Sequence, residues 1–317
     1  MNALARYVAF WDRREPAHAL AAVRIGIGLV MLYDLLQVAR LGLILPLWAP
    51  LEQGGIGVHP RVWFYTWFGA SAGSAYLLFG VTLGSALALT LGWFSRSSAL
   101  TLLFCSAQLS ALAPDADRGI DALLRNALVV LALSGAGSAW SLDARGRVPV
   151  EVPAWPRYLL IAQLVLLYFW AGVLKQSAAW SSLDGYSALF SVLSKPHYAR
   201  FALSHEQLVA IYPLLQAATI GTLLFERTAI LLPLWLWLRG RPGRWGELVR
   251  RARVFELWMA TGIFFHVALA LFTQLGIFPW GCLALYPALL KPEVVRESAE
   301  RFAHKLRALD RSSRVAT

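Results

Sequence analysis

Residues 157–175 read RYLLIAQLVLLYFWAGVLK, an apolar run bounded by Arg157 and Lys175. A helix needs roughly 20 mainly apolar residues to cross the hydrocarbon of a bilayer, and this run has that length. Seven more such runs surround it, giving eight expected spans at about 18–44, 66–93, 97–113, 121–136, 157–175, 207–237, 254–273 and 276–290. The third, fourth and eighth are short. The sixth is interrupted by Glu226-Arg227 and Pro233, so a kink or break is expected there. The chain therefore reads as an all-α integral membrane protein, a polytopic bundle of about eight transmembrane helices, some short or broken.

Composition agrees. The 317 residues are 58% hydrophobic and 15% charged, with a mean hydropathy of +0.56, where a soluble domain carries roughly 25% charged residues. Trp 14 and Phe 16 are counts suited to interfacial aromatic belts. The net charge of +11 does not point to nucleic acid, because the basic residues lie in short loops between apolar runs. Cys105 and Cys282 fall inside apolar segments, and neither a disulfide framework nor a metal-ligand spacing is present. The first apolar run is too long for a signal-peptide core, so no cleaved leader is expected.

With the N-terminus in the cytoplasm, the inside segments hold 20 of the 29 Lys and Arg. This bias sets both termini inside and Lys175 at the outer face, in a multi-pass inner (plasma) membrane protein. No loop is long enough to fold alone. The chain reads as one membrane domain, 1–317, with a helical core about 18–290 and a basic cytoplasmic tail 291–317. That tail reads equally as an amphipathic helix on anionic lipid or as a solvated extension.

Ionisable residues at membrane depth are costly and face the interior or a wet cavity. The candidates are Arg24, Asp34, Arg125, Glu226, Arg227, Glu256 and His266. Arg24 and Asp34 lie about 80° apart around one helix, so one broad inward face can hold both, as an ion pair. Gly26 and Gly28 between them permit close helix approach. Arg24, Asp34, Glu226 and Arg227 are read as a structural polar core. His197 and His205 have no metal-binding spacing and are read as solvated. Lys175 has two readings. It is a snorkelling interface residue, or an amine beside apolar walls that serves as a base. Tyr168, Trp170, Trp180 and Tyr186 are the aromatic residues near enough in sequence to form such walls and to stack on a flat ring.

Five motifs, in order, carry a family resemblance. They are Leu20-Ala-Ala-Val-Arg24-Ile-Gly-Ile-Gly-Leu-Val-Met-Leu-Tyr33-Asp34, then Gly57-Val-His-Pro60-Arg61, then Trp140-Ser-Leu-Asp143, then Tyr168-Phe-Trp-Ala-Gly172-Val-Leu-Lys175, and last Phe265-His266 followed by Gly276-Ile-Phe278. Over about 18–290 the chain resembles the HTTM family, whose membrane domain is shared with the vitamin K-dependent gamma-carboxylase. The resemblance implies a quinol-linked membrane enzyme. Lys175 would be the catalytic base that deprotonates a hydroquinone, and His266 a ligand-binding residue near the quinone, with Tyr168, Trp180 and Tyr186 in the same pocket. It implies a reduced quinone (vitamin K hydroquinone or menaquinol) used with CO2 and O2, and no metal. It also implies carboxylase or lyase chemistry on a small peptide or protein.

The sequence departs from that pattern in three ways. The Trp180-to-Gly185 spacing is two residues longer. Asp121, Arg125 and Asn126 stand where a family histidine is expected. The carboxylase's substrate-binding extramembrane portion has no counterpart in these 317 residues. The expectation is therefore a quinol-like ligand site rather than glutamate carboxylation of a protein. Two other classes stay open, a non-catalytic membrane factor for peptide maturation or export and a lipid or small-molecule transporter. No inverted repeat supports the transporter.

Overall fold

The computed structural model describes residues 3–57 and 62–315. Most of the Gly57–Arg61 motif, residues 58–61, lies outside the described residues. The helices in chain order are α1 Ala3–Trp11, α2 His18–Arg40, α3 Ile44–Trp48, α4 Trp63–Phe68, α5 Ala72–Leu91, α6 Ser95–Leu112, α7 Gly119–Leu133 and α8 Trp155–Leu174. They continue with α9 Ala188–Leu193, α10 His205–Ala210, α11 Tyr212–Thr228, α12 Leu232–Arg239, α13 Arg244–Arg251, α14 Val254–Phe272, α15 Phe278–Leu285 and α16 Pro292–Val315. Two three-residue strands, β1 Arg14–Pro16 and β2 Glu151–Pro153, pair antiparallel.

Among the described residues, five helical stretches are long and apolar enough to cross a membrane: His18–Arg40, Ala72–Leu91, Trp155–Leu174, Tyr212–Arg239 and Arg244–Phe272. The other expected spans correspond to α6, α7 and the shorter apolar stretch Phe278–Leu289. The expected second span starts late, because Gly69 at φ 75° separates α4 from α5. The expected break at Glu226-Arg227 is displaced. Both residues sit in the last turn of α11, and the chain passes through a 3-10 turn at Ala229–Leu231 before α12. Pro233 occupies the first turn of α12, where its missing N–H costs nothing.

The chain divides into two compact units, residues 1–161 with 284–317, and residues 162–283. In the first, α2 packs on α5, α5 on α6 and α6 on α7. Gly28 makes the α2–α5 approach possible, since a Cβ there would meet Thr90 Oγ1 at 2.3 Å. Arg24 is fully buried. Its guanidinium donates to the carbonyls of Thr90 (2.9 Å), Trp140 (2.7 Å), Ala136 (3.2 Å) and Leu89. Two of those carbonyls, Leu89 and Thr90, lie at the electronegative C-terminal end of α5, which a cation satisfies. The Asp143 carboxylate accepts from the Phe94 and Ser95 amides (both 2.8 Å) and from the Ser95 hydroxyl (2.7 Å), capping α6 from a distant loop. The Trp140–Asp143 motif is thus a joint between helices.

The expected Arg24–Asp34 pair does not form. Asp34 instead takes both terminal nitrogens of Arg118 (2.6 and 3.1 Å), and Arg118 also binds Asp121. Ten residues of helix separate Arg24 from Asp34 by about 15 Å along the axis, and that distance outweighs any shared face. Arg125 binds Asp117 through two bonds of 2.8 Å. Arg157 clamps the buried Glu15 of β1 (2.6 and 2.7 Å) and donates to the Ala288 carbonyl. The start of α16 rests on α2 and β1.

In the second unit α11 lies against α9 and α14, and α12 against α13 and α14. Glu256, in the first turn of α14, is an exposed partner of Arg239 at 2.6 Å rather than a buried charge.

Candidate functional site

Tyr168, Gly172 and Lys175 fall at i, i+4 and i+7, one face of α8. Every functional contact of the motif comes from that face. Gly172 meets α11 with no room to spare, because a Cβ would lie 2.9 Å from Glu226 Cβ and 3.0 Å from the Arg227 backbone nitrogen. Its carbonyl accepts from Arg227 Nε at 3.1 Å. The glycine thus brings α11 close enough for the next turn to make a charge pair.

That pair is Lys175 with Glu226. Lys175 Nζ donates to both carboxylate oxygens at 2.7 Å and lies 3.4 Å from the Ala171 carbonyl. The Lys175 side chain is 22% exposed and that of Glu226 only 5%. The Trp180 ring stands 5.1 Å from Nζ, at cation–π distance. Lys175 follows the last residue of α8, where a cation also meets the negative end of the helix. It is therefore neither a snorkelling residue free in the interface nor a solitary amine.

Two turns earlier on that face, the Tyr168 hydroxyl lies 3.2 Å from His266 Nε2, and His266 Nδ1 lies 2.7 Å from the Gly262 carbonyl. A carbonyl can only accept, so Nδ1 carries a proton. In the neutral ring Nε2 is then the acceptor and Tyr168 the donor. His266 is fully buried and Tyr168 nearly so. Phe225, Trp258 and Phe278 enclose them. Tyr168 is 5.0 Å from Phe225 and 5.9 Å from Trp258, and His266 stacks on Phe278 at 6.2 Å.

The structure thus brings Lys175 together with Glu226 of α11 and with the Trp180 ring, and Tyr168 of α8 together with His266 of α14. Tyr186 sits in the Gly185–Tyr186 turn with φ 55°. The preceding Gly185 carbonyl is fixed by Gln216 (2.7 Å) and Tyr212 (3.0 Å) of α11. Trp170 is 53% exposed and points away from this face, which removes it from the expected walls. Arg24 and Asp34 belong to the first unit's helix joints. Phe225 and Trp258 escaped the sequence reading, since an aromatic residue in an apolar span carries no signal of its own, and Phe278 entered it only as the end of the last motif. Glu226 did carry one, as a lone acid in an apolar run, but only the i, i+4, i+7 face of α8 identifies its partner.

No curated protein and no solved structure matches the chain. The family model described as HTTM domain matches residues 12–293, nearly all of the chain and all five motifs, and the protein belongs to the HTTM domain family of membrane proteins.

Proposed function

We propose that this multi-pass membrane protein is a quinol-linked enzyme of the carboxylase-like kind, with the Lys175–Glu226 pair as its proton acceptor. The observation that carries the reading is the double 2.7 Å contact of Lys175 with a buried carboxylate beside an aromatic ring. An isolated ammonium cannot accept a proton, but the pair can. Lys175 Nζ hands one proton to Glu226 and takes another from a ligand hydroxyl. The pair then ends as an ammonium and a neutral acid, so a single positive charge is held at the site. The residues fit a hydroquinone: the Lys175 cation offers donors and the Tyr168 hydroxyl oxygen an acceptor for hydroxyl groups, and Trp180 and Tyr186 offer flat faces. When bound, vitamin K hydroquinone or menaquinol would supply, with O2, the strong base that takes a proton from a carbon acid, and CO2 would be the carboxyl donor. Lys175 and Glu226 hold and move the proton, while Tyr168 and His266 orient a polar edge. The setting we infer is the inner membrane with both termini cytoplasmic, the basic α16 lying against anionic lipid, and a small peptide or protein as substrate.

The test is a bound-quinone assay on purified protein. Wild type is expected to retain quinone, and His266→Ala and Lys175→Ala to lose it. Equal, absent binding in all three sinks the proposal. A second reading, a non-catalytic factor for peptide maturation or export, draws on the Arg227–Gly172 bond, which makes this same contact a structural clamp. It expects a Lys175→Met/Glu226→Leu protein, which keeps the packing without the charges, to keep its cellular function.

A further inference from the structure

The turn between the two stretches Tyr212–Arg239 and Arg244–Phe272 holds a second feature, unconnected with the site above. Residues 239–253 contain six arginines and a single carboxylate, Glu247. The backbone here is tightly specified. Gly243 has φ 103°, and a Cβ on Gly246 would lie 2.1 Å from the Arg241 carbonyl. Arg250 donates to the carbonyls of Arg239 (3.0 Å) and Arg241 (3.1 Å), which folds α13 back on the end of α12.

This folding gives α13 two faces. Trp245, Leu248 and Ala252 share one of them at helical spacing, and the two large side chains are 60% and 56% exposed. Arg244, Glu247, Arg250 and Arg251 lie on the other. Arg241 stacks on the ring of Trp237 at 4.5 Å and Arg244 on that of Trp245 at 5.1 Å. Each guanidinium is thereby carried beside an exposed indole. An apolar face in the open, flanked by arginines and tied between two membrane-crossing stretches, has the form of a helix lying in the headgroup layer.

We infer that α13 is a built-in interfacial anchor that seats Trp245 and Leu248 among acyl chains, while Arg241, Arg244 and Arg251 bind anionic phospholipid headgroups. Arg239 is paired with Glu256, and the remaining excess of arginine selects the occupant, because an uncharged lipid surface or an apolar protein partner would leave four net positive charges uncompensated. The partner is thus the anionic leaflet of the membrane that the chain itself crosses.

Full-length protein in nanodiscs tests this. Cys105 and Cys282 are both buried, so a polarity-sensitive dye on Leu248→Cys reports this face alone. Phosphatidylcholine discs containing phosphatidylglycerol are expected to give a blue-shifted dye relative to phosphatidylcholine discs. Adding salt should reverse the shift, and a triple variant, Arg241→Gln/Arg244→Gln/Arg251→Gln, should abolish it. Inorganic phosphate added to phosphatidylcholine discs should leave the dye unchanged. The proposal is overturned by equal emission in the two lipid compositions, by a shift that survives both salt and the triple variant, or by a phosphate-induced shift. The salt titration needs no arginine variant and so stands even if that variant fails to fold.

Discussion

Arg24 of α2 and Lys175 at the end of α8 are both cations carried by apolar helices, yet their charges are met by opposite means. Four backbone carbonyls surround Arg24, and among the described residues no carboxylate hydrogen-bonds to it. Lys175 is met by the carboxylate of Glu226. The Arg24 arrangement uses the guanidinium as a multi-pronged donor, with its charge balanced by helix-end dipoles that cannot titrate. The Lys175 arrangement places two titratable groups in contact, between which a proton can pass. The first suits a joint that must hold one geometry. The second suits a site that must change its state. Both begin as one charged residue in an apolar run, so the surrounding fold makes the distinction.

The largest effect is expected from breaking the joint. Arg24→Ala removes the side-chain donor from the Thr90, Trp140 and Ala136 carbonyls, while Leu89 keeps the Gly92 amide, and at 1–3 kcal/mol for each group left unsatisfied the loss is on the order of 4 kcal/mol. Arg24→Lys should recover less than half of it, since a single ammonium with three donors cannot span carbonyls arranged around a planar fork. Thermal unfolding in detergent measures both. Full rescue by lysine would mean that charge alone matters at Arg24, and the contrast with Lys175 would collapse.

The paired cation should behave differently. Lys175→Ala strands a buried carboxylate and is expected to cost about 3 kcal/mol. The double variant Lys175→Met/Glu226→Leu should regain most of it, because removing both charges also removes their desolvation. A double-mutant cycle then gives a coupling of about 2 kcal/mol between the two sites. Additive losses would show that the two residues act separately. If the double variant is stable but binds no quinone, the pair is chemical rather than merely structural.

The residues that could be read from sequence share a property: their signal is local. Helices α2, α8 and α14 follow from apolar run length, and the Arg24, Trp140–Asp143 and Tyr168–Lys175 segments were each distinct as motifs. The partners were not legible. Arg24 was expected to meet Asp34, ten residues away on its own helix, but its acceptors come from α5 and from residues 136–140. A backbone carbonyl has no sequence signature, so a carbonyl cradle cannot be predicted from residue types. Glu226 was visible as a charge but was read as a helix break. Its pairing depends on Gly172 bringing two backbones together, a contact made between helices roughly fifty residues apart in sequence.

A smaller effect, and a sharper test of the site, comes from that glycine. Gly172→Ala puts a methyl 2.9 Å from Glu226 Cβ and 3.0 Å from the Arg227 backbone. The helices must part by a few tenths of an ångström, at a cost of about 1–2 kcal/mol. The displacement should loosen the Lys175–Glu226 contact far more than it disturbs the Tyr168–His266 contact one turn away. Cross-linking between cysteines placed on α8 and α11 would read the spacing. Unchanged spacing together with unchanged stability would remove Gly172 from the account of how the pair is positioned.

The smallest effect lies three residues past Trp140, whose carbonyl serves Arg24. Partial burial of Asp143 opposes its charge, but the amide and hydroxyl of Ser95, the Phe94 amide and the charge of Arg147 outweigh it and hold the carboxyl below its ordinary value of 3.8. A carboxylate whose value is depressed by folding contributes stability that is fully present above pH 3.8 and is lost as pH falls through the lower folded value. Unfolding of the wild type should therefore steepen in that acid range, as the α6 cap is protonated. Asp143→Asn should cost about 1 kcal/mol at neutral pH and flatten the acid limb. The two proteins should then converge in stability below the folded value. Parallel acid limbs would mean that the cap does not titrate, and the Arg24 joint would then be insensitive to pH throughout, including at the one carboxylate built beside it.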